Sequence, residues 1–94
     1  MKLISITTSS KPEKKLQATF ETDGRTKTTH FGAAGMSDYT KNHDDARKSN
    51  YLSRHSATEN WNDPTSAGAL SRWVLWNKPT LAASKADYKR RFGL

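Results

Sequence analysis

An α+β fold is what this 94-residue sequence predicts: a three-stranded antiparallel meander followed by about three helices, with a central Trp-rich helix laid on the sheet. Period-two alternation with many threonines fills the first third, which is the pattern of half-buried strands. Three-and-four spacing of apolar residues takes over after Asp44, which is the pattern of helices. All three tryptophans lie between Glu59 and Pro79 in the one long apolar stretch of a polar chain. That segment is therefore expected to supply most of the core.

The elements follow in order. Ile4 and Ile6 alternate onto one face of a strand over Lys2 to Thr8, and Leu16, Ala18 and Phe20 onto one face of Lys15 to Thr22. Ser9 to Glu13 is a polar turn, and Asp23-Gly24 is a two-residue hairpin signal leading to a third strand, Arg25 to Phe31. Gly32 to Ser37 breaks the pattern and reads as a strand-to-helix crossover with unusual backbone angles. It lacks the Gly-Lys-Ser/Thr of a P-loop and the third glycine of a dinucleotide fingerprint, so no cofactor is implied. A helix is expected from about Asp44 to His55, capped by Asn42 or Asp44, with Tyr51, Leu52 and His55 inward. The tryptophan helix is expected to start at an Asp63 cap with Pro64 in its first position and to stop at Pro79. A last helix follows Pro79 with Thr80 as its candidate cap, turns Leu81, Tyr88 and Phe92 inward, and ends at Gly93.

Length and composition bound what the chain can do. Ninety-four residues make one small domain, expected to span residues 1–94. The absence of cysteine removes disulfides and thiolate metal sites. No stretch reaches the roughly 18 apolar residues of a membrane span, and Met1 to Ile6 is too short for a signal peptide, so a soluble intracellular protein is expected. Lys plus Arg number 16 against 9 for Asp plus Glu, a formal net charge of +7. The sequence pI is about 9.9. Such an excess attracts polyanions, of which nucleic acid is the commonest.

Catalysis has little to stand on. His43-Asp44-Asp45 could contribute to a metal site only with ligands from elsewhere, and no paired-histidine or zinc-ribbon spacing is present. Ser37, His30 and Asp38 can be arranged as a nucleophile, base and orienter, yet any small polar chain offers such a triplet. The expectation is a protein that is not an enzyme and carries no metal.

Several segments together carry a resemblance: His30-Phe31-Gly32-Ala33, Gly35, Ser37 to Thr40, Arg47-Lys48, Tyr51-Leu52, Arg54-His55 and Glu59-Asn60-Trp61, then Ala67 to Trp73, Leu75 to Leu81, Asp87-Tyr88-Lys89 and Arg91-Phe92. In these the chain resembles a family of short proteins encoded by large double-stranded DNA viruses of eukaryotes. The resemblance implies a viral protein of the infected cell's replication compartment or of the virion, working beside a large DNA genome.

Two functions are expected from charge and context together. The first is binding of double-stranded DNA mainly through phosphates, with low sequence specificity, to organise or package a genome. Its candidate contacts are Arg47, Lys48 and Arg54 on one helix, Arg72 and Lys78 beside the tryptophans, and Lys85, Lys89, Arg90 and Arg91 on the last helix. The second is a protein-interaction or virion structural module that docks through Trp61, on a viral protein partner or as a homodimer.

Overall fold

The structure, a computed structural model, describes all 94 residues. Strands β1 (Lys2–Thr8), β2 (Lys14–Thr22) and β3 (Arg25–Ala33) form one antiparallel sheet in the order β1-β2-β3. Helices α1 (Tyr39–Asn42), α2 (Asp45–His55), α3 (Ala67–Leu70) and α4 (Leu81–Phe92) follow, and α3 runs on into a π-helical turn, Ser71–Leu75. The α+β architecture is therefore the expected one, with the short α1 as an addition. Asp23 and Gly24 both have positive φ, 51° and 77°, which is the backbone of the primed hairpin turn that matches strand twist.

β1 departs from simple alternation. Leu3 pairs with Phe20 and Ser5 with Thr19, so two residues advance on β1 for one on β2, and Ile4 is the extra residue of a bulge. Leu3 and Ile6 consequently share the core side, while Ile4 is left 49% exposed. This corrects the expectation that Ile4 and Ile6 share a face: one inserted residue moves every earlier side chain to the other side.

The core lies between one face of the sheet and the helical layer. It consists of Ala18, Phe20 and Phe31 from the strands, Leu70, Val74 and Leu75 from α3 and its π-turn, and Tyr88 from α4. Trp73 and Trp76 are only half-buried at its margin, and Trp61 is half-buried as well. The tryptophan segment does cover the sheet, but its aliphatic residues, rather than its indoles, fill the centre. Gly32 allows the closest approach: its φ is +77°, and a Cβ there would stand 2.7 Å from Leu75 Cδ1.

Helix limits explain the rest. Asp63 does not cap α3. It accepts from Thr65 N at 3.0 Å and Thr65 Oγ1 at 2.9 Å in a local turn, and Ser66 caps the helix instead through Ala69 N at 3.1 Å. Pro64 thus sits before the helix, and its carbonyl accepts from Tyr88 Oη at 2.6 Å. Thr80 caps α4, and Gly93 closes it with φ 66°, as the sequence suggests. α1 is capped by the buried Asp38, which accepts from Thr40 N and pairs with Lys15 Nζ at 2.5 Å.

Candidate nucleic-acid interface

The site begins with the way α3 ends. The Trp76 N–H bonds to the Ser71 carbonyl at 3.0 Å, an i→i−5 closure that widens the helix into a π-turn. The carbonyls just beyond such an end have no partner within the helix and carry its partial negative charge. Two cations take them: Arg72 Nη1 donates to the Trp76 carbonyl at 2.8 Å, and Lys48 Nζ to the Asn77 carbonyl at 2.7 Å.

Lys48 comes from α2, whose start is fixed by Asp44 accepting from Ala46 N and Arg47 N at 3.0 and 3.1 Å. α2 is held to the tryptophan segment by stacking. The Tyr51 ring lies 4.7 Å from Trp76 and 4.3 Å from His55, centroid to centroid. Aromatic pairs of this kind add roughly 0.5–1.5 kcal/mol beyond the area they bury. Burial pushes the Tyr51 hydroxyl up to about 12, with the Glu59 charge helping.

Arg72 rests on the indoles. Its guanidinium carbon is 4.0 Å from the Trp73 ring centre and 5.5 Å from that of Trp61, and Arg91 lies 3.7 Å from Trp73. Cation–π contacts hold both arginines against the half-buried layer. Neither Glu59 nor Asp63 pairs with Arg72, whose Nη1 is committed to the Trp76 carbonyl. The Arg72 Nε is buried without a hydrogen-bond partner.

Asp87 organises the other side of the cluster. It is buried and accepts from Asn77 Nδ2 at 2.7 Å, Arg90 Nη2 at 2.9 Å and Arg91 Nη2 at 3.4 Å. The Asn77 hydrogen bond, followed by those arginines, holds its carboxyl below the ordinary value. Lys48 and Arg72 are displaced in the unfavourable sense for a cation. Burial lowers Lys48 first, then the charges of Arg72 and Lys78; burial lowers Arg72 first, then the charge of Arg91.

The structure thus divides the nine cations named from the sequence. Lys48, Arg72, Lys78, Arg90 and Arg91 meet around Asn77 and Asp87. Arg47 and Arg54 are exposed on α2 with no partner for their side chains, seven residues and so about two turns apart. Lys85 and Lys89 stand on the far side of α4 beside β1, where Lys85 Nζ donates to the Ile6 carbonyl at 3.2 Å.

Trp61 is anchored from both ends. Its indole N–H donates to Glu59 Oε2 at 3.1 Å, and its carbonyl accepts from Trp73 Nε1 at 3.1 Å. It forms a lid over Arg72. The triplet of Ser37, His30 and Asp38 does not assemble: His30 bonds to Ser9 Oγ at 2.7 Å, and Asp38 is committed to Lys15 and Thr40. No three His, Cys, Asp or Glu side chains gather closely enough to hold a metal ion.

Sequence reasoning missed Asn77 and Asp87 as the polar centre. Part of the signal was present, because Asp87 precedes Arg90 and Arg91 by three and four residues, the spacing of helical ion pairs.

The chain matches the model of a family of unknown function, DUF5754, over residues 4–55, more than half of its length, and belongs to that family. The matched range covers nearly the whole sheet, α1 and α2, and ends before the tryptophan segment. Comparison with the curated proteins and with the solved structures returned no significant match.

Proposed function

We propose that this DUF5754 member binds double-stranded DNA through its phosphates, with little sequence preference, on the face where Lys48, Arg72, Lys78, Arg90 and Arg91 meet. One observation carries the reading. Arg72, Lys78, Arg90 and Arg91 gather around the buried Asp87, Lys48 reaches the neighbouring Asn77 carbonyl, and the charges of Lys48, Arg72, Lys78 and Arg91 disfavour one another. A phosphate placed among them relieves that repulsion and releases condensed counterions. Arg47 and Arg54 extend the positive surface along α2. Phosphate contacts of this kind fix position without reading bases.

The resemblance to proteins of large DNA viruses supplies the setting for this proposal. Organisation or packaging of a genome, in the infected cell or the virion, is work that needs phosphate contacts and tolerates any sequence. No helix is long and apolar enough to cross a membrane.

Fluorescence-anisotropy titration of two unrelated labelled duplexes at several salt concentrations tests the proposal. Similar affinities for both are expected. The log–log salt slope should be about −4 to −5 if the five cations each neutralise one phosphate. Absence of binding at low salt, or a strong preference for one duplex, contradicts it.

A further inference from the structure

The bulge in β1 leaves a second surface that the DNA reading does not use. Ile4 is 49% exposed there. It lines an open groove of about 240 Å³ together with Leu3, Ser5, Ile6, Lys85 and Lys89. Lys85 and Lys89 lie one helical turn apart on α4, and Asp87 and Arg91 project from the opposite side of that helix. The groove is therefore separate from the cationic cluster.

Its chemistry selects among occupants. The volume falls below the roughly 300 Å³ at which small-molecule sites begin, which suits one or two side chains of a larger partner. A second copy of this chain is disfavoured, because a two-fold axis here sets lysines against lysines. A DNA backbone leaves Ile4 without an apolar partner. Strand addition to the β1 edge is obstructed by the bulge and by Lys85, which occupies the Ile6 carbonyl. An extended acidic segment fits all of these features by its side chains. Lysines at i and i+4 on a helix are about 6 Å apart. Alternate residues of an extended chain are about 6.6 Å apart and point the same way. Two acidic residues flanking one apolar residue then face Lys85 and Lys89, while the apolar side chain faces Ile4.

We infer that the groove between β1 and α4 docks an extended acidic–apolar–acidic segment of a partner protein. This rests on the bulge and on the lysine pair, independently of the DNA reading, and it allows a protein partner to be held while the other side of α4 engages a polyanion.

The test is an amide chemical-shift titration of the full chain with acetylated Glu-Leu-Glu, using Glu-Ser-Glu as control and phosphatidylserine vesicles as a further arm. Shifts at Leu3 to Ile6 and Lys85 to Lys89 are expected with Glu-Leu-Glu and should be much weaker with Glu-Ser-Glu. Ile4→Ser and Lys89→Glu, both at exposed positions, should each weaken binding by about fivefold, the order of one surface contact, with the rest of the spectrum unchanged. Equal response to the two peptides, or shifts centred on Lys78 and Arg90, overturns the proposal in favour of general electrostatic attraction. Vesicle binding that depends on Ile4, with no response to either peptide, overturns it in favour of a lipid surface.

Discussion

The inner and outer surfaces of the central helical segment use aromatic and apolar groups in opposite ways. Inward, Leu70, Val74 and Leu75 meet Phe20, Phe31 and Tyr88 in an apolar interface, with the Tyr88 hydroxyl reaching out to the Pro64 carbonyl. Outward, Trp61, Trp73 and Trp76 are half-buried and work with Arg72, Arg91 and Tyr51. The inner layer stabilises by removing area from water. The outer layer holds cations in place on ring faces and orphan carbonyls. Three tryptophans in a small polar chain therefore do not identify its core; here they form the bed on which its charges rest.

Substitutions on the two sides should separate accordingly. The largest effect is expected from Phe31→Ala, since the ring is buried and contacts the core of both layers. Urea denaturation should show a loss of about 3–5 kcal/mol, while any folded fraction retains the cationic face. A loss below 1 kcal/mol would mean that the inner layer is not the source of stability.

An intermediate effect belongs to Asp87, at the junction of the two layers. Asp87→Asn removes the charge from its bonds with Arg90 and Arg91 and should cost about 1–2 kcal/mol. The pH dependence carries a sign. The folded-state pKa is depressed, so the stabilisation is fully present above the unfolded value of about 3.9. It is lost as pH falls through the lower folded value. Wild-type melting temperature should drop across that acidic window, and the drop should be smaller in Asp87→Asn. Parallel curves for the two proteins would remove Asp87 from this role.

The smallest effect is expected at Trp61. Trp61→Phe keeps an aromatic lid but loses the hydrogen bond to Glu59 and part of the contact with Arg72. Stability should change by about 1 kcal/mol or less, measured by the same urea denaturation. A much larger loss would place Trp61 with the inner layer.

How much of this could be read from the sequence depends on how local each cause is. The hairpin at Asp23-Gly24, the Asp44 and Thr80 caps and the closing Gly93 act within a few residues and were legible. The bulge at Ile4 was written only as two adjacent apolar residues, Leu3 and Ile4, whose choice of face is decided by pairing with β2. Asp63 and Ser66 are both competent caps within one short stretch. The turn that Asp63 makes with Thr65 leaves the helix to Ser66. The π-turn has no signature in composition, and the Tyr51 ring that stacks on Trp76 at its end comes from 25 residues away. The same holds for the site: residue types named nine candidate cations, but only the packing of α2 and α4 against the π-turn shows which five converge.

In the proposed mode of binding, the converged cations rather than net charge alone hold duplex DNA. The most direct measurement compares the salt dependence of duplex affinity for Lys78→Ala/Arg90→Ala and for Arg25→Ala/Lys27→Ala, the second pair standing on β3 near the hairpin turn. Both variants lose two positive charges at exposed positions. The first should weaken binding to every sequence and flatten the log–log salt slope by about 2, whereas the second should stay close to wild type. Equal losses in the two variants would contradict that mode, because net charge would then account for all of the binding.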